Sequence, residues 1–161
     1  MELRQENILL RYATINDAKI LCKWWNDGKI MAHAGFPNGV NTTEGKIIEQ
    51  ISEETDETTR RWIIEIDGEA SGEMNYRNKG NNIAEIGIKI CDFDKQEKGY
   101  GSKLIKMFIK FLFDELKYKK IILDTKINNK RAQHVYEKVG FKKTKEDEKY
   151  IYYELENTEE M

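Results

Sequence analysis

The sequence predicts a single α+β domain with a mixed, mostly antiparallel sheet and flanking helices. Three strand patterns separated by short turns occupy residues 60–90. A long apolar helix pattern follows them, and another strand pattern comes after that helix at residues 120–125. A helical crossover within one sheet makes the strands before and after it parallel. The chain has 161 residues, which suits one domain, and we assign that domain to residues 1–161.

The N-terminal part is predicted to contain one strand and two helices. An apolar pattern predicts the strand over residues 8–12, and Thr14 followed by Asp17 is typical of a helix start, so a helix is expected over 15–25. Residues 26–40 hold three glycines and the only proline, which favours a loop, and loops of this length are often functional. A second helix is expected from Thr42 or Thr43 to about Glu54.

The central and C-terminal elements follow from turn and helix signals. The Asp67-Gly68 pair predicts a hairpin between strands 60–66 and 70–77, and residues 78–82 predict a turn into the strand 83–90. The helix over 99–113 has a wide apolar stripe that should pack on the sheet. After the strand 120–125 and a helix that follows Asn129, strands are expected over 141–148 and 150–156, with a frayed tail at 157–161.

The segment between the strand 83–90 and the helix 99–113 predicts an anion site. A strand that runs through a glycine turn into a helix presents free backbone N–H groups at the positive end of the helix dipole. Gly99 and Gly101 lack the Cβ atoms that would hold a diphosphate away from the main chain. No Gly-Lys-Ser/Thr follows, and the third glycine of a dinucleotide fingerprint is missing. Taken alone, the turn fits a pyrophosphate site and a merely tight connection equally well.

A second motif lies downstream, in the helix that begins after Asn129 and ends at Gly140. Asn129 is placed to cap this helix, and Gly140 to end it in a left-handed conformation. With both motifs in this order, the sequence resembles the GNAT superfamily of acetyl-CoA-dependent acyltransferases. The residues that carry the resemblance are Gln96, Gly99 and Gly101, followed by Asn129, Ala132, Tyr136, Gly140 and Phe141. More loosely, Trp24-Trp25-Asn26-Asp27 resembles the branch of ribosomal-protein N-terminal, polyamine and aminoglycoside acetyltransferases.

The resemblance implies a fold and a co-substrate site. In this family the fourth and fifth strands splay apart and hold the pantetheine arm of acetyl-CoA. Backbone groups at Ile88 and Ile90 would bind that arm and polarise the thioester carbonyl. The cofactor-binding residues implied for the pyrophosphate and its surroundings are Gln96, Glu97, Lys98, Gly99, Tyr100, Gly101, Ser102 and Asn129.

Two side chains are implied as catalytic. Tyr136 would protonate, or hydrogen-bond to, the leaving sulfur, although its place on an apolar stripe also fits a core tyrosine. Glu85 matches the glutamate that serves as general base in the histone-acetylating members, and a cross-strand-paired glutamate is the alternative. The general-base role requires burial of Glu85 or a bridging water, because an ordinary carboxylate is a weak base for an ammonium group.

The implied function is acetyl transfer from acetyl-CoA to a primary amine by direct attack. The acceptor would be a polyamine or aminoglycoside if the acidic run Glu49–Glu57 faced the pocket, or a protein N-terminus if the pocket were a shallow groove. A sensor or scaffold domain that binds acetyl-CoA without catalysis is the alternative function. Trp25 and Phe36 could line an acceptor pocket, whereas Trp24 and Trp62 are expected in the core.

The composition argues against several other classes of protein. A net charge of −2 argues against a nucleic-acid surface, and no apolar run approaches the ~20 residues that span a bilayer. The charged N-terminus lacks a secretory leader, so we expect a cytoplasmic protein without membrane partners. Cys22 and Cys91 form no C-x-x-C pair, and no spacing indicates a metal site. Dimers are common in the superfamily, which makes a homodimer one option.

Overall fold

The structure is a computed structural model, and it describes residues 1–158. The helices are α1 (Ala18–Trp25), α2 (Gly28–Met31), α3 (Glu44–Glu53), α4 (Tyr100–Asp114) and α5 (Lys130–Val139). The strands are β1 (Glu2–Gln5), β2 (Ile8–Tyr12), β3 (Thr59–Ile66), β4 (Glu69–Asn78), β5 (Ile83–Ile90), β6 (Lys120–Lys126), β7 (Lys142–Glu146) and β8 (Tyr150–Glu156). Single helical turns cover Ile15–Asp17, Ala32–Ala34 and Phe93–Lys95.

The strands of the described residues form one eight-stranded sheet in the order β1-β2-β3-β4-β5-β6-β8-β7. β5 and β6 run parallel, and the other neighbouring strands are antiparallel. This confirms the predicted α+β class with a mixed, mostly antiparallel sheet. The predicted domain 1–161 and tail 157–161 end on three residues that lie outside the described part.

The strand β1 and the short helix α2 were not predicted from the sequence. β1 is an edge strand whose residues are mostly exposed, so it has no buried apolar alternation to reveal it. The segment 26–40 is not an uninterrupted loop, because α2 and the turn Ala32–Ala34 lie within it. Asp27 begins α2 by accepting hydrogen bonds from the N–H groups of Lys29 and Ile30. The glycine content of the segment obscured this capping signal.

The sheet has a core on each face, and together these cores position the helices around β5 and β6. On one face α4 buries the apolar stripe that the sequence predicted, against Trp62 and Tyr76 of the sheet. On the other face α1 and α3 pack through Leu21, Trp24 and Ile47. Trp24 and Trp62 are therefore core residues, as expected. Packing of α4 fixes where its N-terminus points.

The parallel strands β5 and β6 are the fourth and fifth of the strands predicted from the sequence, and they are splayed, as the resemblance implied. Pairing covers only Ile83–Glu85 with residues 120–122, although β5 continues to Ile90 and β6 to Lys126. The N–H of Cys91 donates to the carbonyl of Ser71 in β4. In an antiparallel pair only every second residue of a strand is hydrogen-bonded to the neighbouring strand, so the residues one and three positions before Cys91 are not bonded to β4. The backbone groups of Ile88 and Ile90 therefore point away from β4, into the gap.

A capping box at the start of the single turn Ile15–Asp17, which leads directly into α1, joins this end of the helix to the sheet. Asp17 is buried and accepts hydrogen bonds from the Thr14 N–H at 2.8 Å and from both terminal nitrogens of Arg11 at 2.8 and 2.9 Å. Burial opposes the charge, but these hydrogen bonds outweigh it and hold the pKa of Asp17 below its usual value. The carboxylate is thus a stabilising group at neutral pH.

Asp17→Asn is expected to lower the free energy of unfolding at pH 7 by about 2 kcal/mol, because it removes charge-assisted hydrogen bonds at a helix cap. A lowered pKa in the folded state contributes stability above the unfolded value, near 4, and this contribution is lost as the pH falls through the folded value. Urea denaturation should show the deficit shrinking between pH 7 and pH 3. Glu49→Gln, on the exposed face of α3, is the control; an equal effect in both variants would contradict the role of Asp17.

Candidate functional site

A cavity of about 650 Å³ lies at the gap between β5 and β6. Its walls come from the second half of β5, the loop to α4, the first turn of α4, the end of β6 and α5. The turn of α2 and the start of β8 close its other side. This volume is in the range of pockets that enclose an organic ligand.

The loop before α4 presents a row of unpaired main-chain donors to this cavity. Glu97 and Gly99 have positive φ angles of 60° and 83°, and α4 begins directly afterwards without a side-chain cap. Within residues 1–158, the N–H groups of residues 97–102 have no hydrogen-bond acceptor. Such donors at the positive end of a helix dipole suit an anion with several oxygens.

Side chains on both sides of the loop hold it in this shape. The Gln96 amide donates to the carbonyl of Ile90 at 2.9 Å and accepts from Arg131 at 2.9 Å. Arg131 also lies 3.5 Å from the carboxylate of Glu97. Gln96 therefore joins the end of β5 to α5. Arg131, which the sequence did not single out, lines the cavity beside the free N–H groups.

Tyr136 lines the cavity from α5. Its ring is buried and packs edge-to-face on Phe141 and Tyr153, with centroid distances of 6.2 and 5.8 Å. Its hydroxyl makes no hydrogen bond within the described residues and is not sealed from solvent. Burial, with a smaller effect from Asp124, raises the pKa of Tyr136 to about 12. The hydroxyl is thus a protonated donor facing the cavity.

Glu85 lies apart from the cavity. It forms a cross-strand ion pair with Arg77 of β4, at the part of β5 that still pairs with β6. This geometry favours the alternative that the sequence left open, a paired structural glutamate. The carboxylate that lines the cavity near Tyr136 is Asp124 of β6. Burial and the charge of Glu85 raise the pKa of Asp124.

Most other predicted site residues meet at the cavity. Its lining includes the predicted residues Ile88, Ile90, Gln96, Glu97, Gly99, Gly101, Ser102 and Asn129. Asn129 caps α5, as expected, by accepting from the N–H of Ala132 at 3.2 Å. The side chains of Lys98 and Tyr100 lie outside: Lys98 is exposed, and the Tyr100 hydroxyl accepts a hydrogen bond from Asn7 at 2.9 Å. Neither residue lines the cavity, although their backbone N–H groups belong to the unpaired row of residues 97–102.

Apart from Tyr136, the aromatic residues of the cavity are not the ones that the sequence suggested for an acceptor pocket. Trp25 is buried, and its indole N–H donates to Glu73 at 2.8 Å, while Phe36 lies exposed outside the cavity. Phe93, Tyr150 and Tyr152 line it instead. The last two belong to a C-terminal strand whose register against β6 the sequence pattern alone does not define.

Neither cysteine lines the cavity, and burial raises the pKa of the Cys91 thiol further above its usual value. Such a thiol is poorly suited to act as a nucleophile. In the described part of the chain, no three His, Cys, Asp or Glu side chains are grouped so that they could hold a metal ion. No helix among residues 1–158 has the length and apolarity needed to cross a membrane.

A family model described as an acetyltransferase (GNAT) domain matches residues 7–142, which is most of the chain. The chain belongs to the GNAT acetyltransferase family. Among curated proteins, spermidine N(1)-acetyltransferase of Escherichia coli is 33% identical over 88 residues, which cover 53% of this chain and 47% of that protein. The chain thus spans about half the length of the curated relatives it matches.

Solved GNAT structures have the same fold. Spermidine N-acetyltransferase from Vibrio cholerae, in complex with CoA and spermine, superposes with a TM-score of 0.83 at 20% identity, over 94% of this chain and 96% of that one. An aminoglycoside acetyltransferase in complex with coenzyme A gives a TM-score of 0.77 at 24% identity, over 92% and 94% of the chains. At these identities the likeness establishes the fold alone.

Proposed function

We propose that this GNAT domain transfers the acetyl group of acetyl-CoA to a primary amine. One observation carries the proposal: a single cavity is lined both by residues of the 97–102 segment, whose N–H groups are unpaired, and by Tyr136. The first feature suits a pyrophosphate, and the second is a proton donor on the wall of the same cavity. The curated relative is named for acetyl transfer to spermidine, and the solved neighbours contain CoA.

The residues present fit acetyl-CoA as co-substrate, which would supply an activated thioester. The N–H groups of residues 97–102 would bind its pyrophosphate, with Arg131 adding a positive charge. The gap-facing backbone groups of Ile88 and the N–H of Ile90 would bind the amides of the pantetheine arm, as an added strand would. The Ile90 carbonyl is already bonded to Gln96. Asn129 lies on the opposite wall, at the start of α5.

In the transfer, the amine nitrogen forms a bond to the acyl carbon, the carbon–sulfur bond breaks, and the thiolate of CoA leaves. A backbone N–H that faces the gap would stabilise the charge that develops on the carbonyl oxygen. Tyr136 would donate a hydrogen bond to the sulfur. Since its pKa is about 12 and that of a thiol is about 8.5, full transfer of its proton would be uphill by about 5 kcal/mol. Hydrogen bonding, rather than complete protonation, is therefore its role.

The attacking amine must lose its proton, and Asp124 is placed to receive it, directly or through water. Asp124→Asn is expected to lower kcat/KM about 10- to 100-fold, in the lower part of the range for acid–base groups. The comparison variant is Glu85→Gln, which removes a carboxylate outside the cavity. It can act only indirectly, because the charge of Glu85 raises the pKa of Asp124, and it should change kcat/KM less than about threefold. Initial rates at saturating acetyl-CoA provide the measurement. A larger loss in the Glu85 variant would restore the glutamate as the base.

The acceptor class is also a proposal. Spermine and aminoglycosides are ligands of the solved relatives, so a small-molecule amine is the first class, with a protein N-terminus as the other. The acidic run does not line the cavity; Glu54 and Asp56 in it are paired with Arg61 and Arg60. The sequence favoured a polyamine or aminoglycoside only if this acidic run faced the pocket, and it does not. A cytoplasmic location and a homodimer remain predictions of the sequence.

The function is tested by measuring thiol release from acetyl-CoA in the presence of polyamines, aminoglycosides, amino acids and short peptides. The proposal expects release that depends on one acceptor class, together with a rise in melting temperature when acetyl-CoA binds. Binding without release across the whole panel would favour the sensor alternative. A melting temperature that acetyl-CoA does not change would contradict the site itself.

A further inference from the structure

The wall of the cavity that faces away from α4 has an uneven charge. It is formed by Lys29 and His33 of the α2 region, by Asp124 and Lys126 of β6, and by the start of β8. Asp124 and Lys126 alternate with Leu123 and Thr125, which face the core side. We call this wall the acceptor face, because the amine must approach the thioester from one side of the gap.

In the part of the chain that the structure describes, the lysines of the acceptor face form no ion pair. Lys126 donates to the carbonyl of Ala32 at 3.3 Å, and no ion pair joins Lys29 or Lys126 to a carboxylate within residues 1–158. Lys89, deeper on the same side of the sheet, lies 3.7 Å from Glu73 and is thereby compensated. Asp124 is the carboxylate of the acceptor face. Among the residues that line this face, two lysines without an ion pair and one carboxylate remain.

This charge arrangement disfavours a polycation. A polyamine places a second ammonium group a few ångströms from the reacting one, where it would meet Lys126 or Lys29, and like charges in a cavity cost affinity. An acceptor whose second group is negative would find the opposite situation. Asp124 and Lys126 are two residues apart on one face of a strand, which separates their Cα atoms by about 6.6 Å. The two side chains are therefore close enough for one small molecule with charges of both signs to contact both of them.

We infer that the acceptor is a small zwitterion, a primary amine that also bears a carboxylate, with its ammonium at Asp124 and its carboxylate at Lys126 and Lys29. This inference rests on the proposed acetyl transfer and narrows its substrate class. The Lys126–Ala32 hydrogen bond places the ammonium of Lys126 where β6 meets the α2 region, at the outer part of the acceptor face. The reacting nitrogen would thus lie on the inner side, toward Asp124 and Tyr136.

Matched ligands provide the first test. Thiol release is measured with an amino acid series and with the corresponding amino acid amides, which keep the amine and lose the carboxylate, and with spermidine and an aminoalkyl phosphate. At least one amino acid should have a kcat/KM about 10-fold or more above that of its amide and of spermidine, the size expected for one charge-assisted contact. Equal or greater activity with the amides or spermidine would overturn the inference while supporting acetyl transfer. A preference for the phosphate would overturn the carboxylate assignment.

A charge reversal provides the second test. Lys126→Glu should lower kcat/KM for the amino acid and raise that for its amide, so that their ratio falls about 100-fold, whereas Lys126→Arg should retain the preference. Lys106→Glu makes the same charge change on the exposed face of α4, outside the cavity. If Lys126→Glu and Lys106→Glu give the same ratio, Lys126 does not select the acceptor. A rise in melting temperature with acetyl-CoA shows that each variant is folded and retains the co-substrate site. If the wild type shows no such rise, the result counts against the proposed function and not against the choice of acceptor.

Discussion

Tyr136→Phe is expected to lower kcat about 100-fold and to leave the dissociation constant of acetyl-CoA within about twofold. The phenyl ring keeps the contacts with Phe141 and Tyr153, so the wall of the cavity stays intact. The variant loses only the hydroxyl, which has no partner in the described residues and whose proposed partner is the departing sulfur. Steady-state kinetics combined with calorimetric titration separates these two effects.

The pH dependence sharpens this prediction. Because burial raises the pKa of Tyr136 to about 12, the hydroxyl is protonated at every pH between 6 and 10. The ratio of wild-type to variant kcat should therefore be constant over that range, while the amine sets the shape of both profiles. Tyr153→Phe is the matched control, since its hydroxyl bonds to Glu137 and lies outside the cavity. Equal losses in the two variants would show that Tyr136 is a core residue only.

Gly101→Asp is expected to weaken acetyl-CoA binding about 100-fold without destabilising the protein. Gly101 is the second residue of α4, and an acidic side chain in a first helical turn is worth about 0.3–1 kcal/mol in stability. The same charge would repel a pyrophosphate bound at the free N–H groups, by up to about 4 kcal/mol for charges 4 Å apart near a protein surface. Stability and affinity should thus move in opposite directions.

Gly101→Ala is the steric control for this change. A Cβ atom at this position would lie 3.8 Å from Val135, which is an ordinary contact, so the alanine variant should be as stable as the wild type. Its Cβ would hold the pyrophosphate slightly away from the main chain, so its affinity for acetyl-CoA should lie between those of the wild type and the aspartate variant. Thermal denaturation and calorimetric titration of the three proteins give both quantities. If the aspartate variant bound acetyl-CoA as well as the alanine variant, the pyrophosphate would not lie at the start of α4.

Local signals explain why the strands, the main helices and much of the site were predictable. The Asp67-Gly68 turn, the cap at Asn129 and the left-handed Gly140 each act over a few residues, and the structure contains all three. The glycine loop and Tyr136 were likewise identified from short motifs, each of which lies within a few consecutive residues. Their meeting at one cavity followed from the order of the elements, because a crossover helix returns the chain to the adjacent parallel strand.

Features that depend on contacts distant in sequence were missed. Glu85 and Asp124 are both polar residues in apolar strands, and which one reaches the cavity depends on where β5–β6 pairing ends. Pairing stops at Glu85, so the later residue on β6 faces the open gap. The buried Trp25–Glu73 hydrogen bond and the bridge from Arg131 to Gln96 likewise join residues more than 30 positions apart. The periodicity of apolar residues does not predict contacts between residues so far apart in the sequence.

The central claim is that one cavity binds the pyrophosphate at the start of α4 and places the sulfur of acetyl-CoA beside Tyr136. A crystal structure of the protein with CoA tests it most directly. The account predicts phosphate oxygens accepting hydrogen bonds from N–H groups of residues 97–102, and the Tyr136 hydroxyl within hydrogen-bonding distance of the sulfur. CoA bound elsewhere, or the Tyr136 hydroxyl bonded to an interior group and turned from the sulfur, would contradict it.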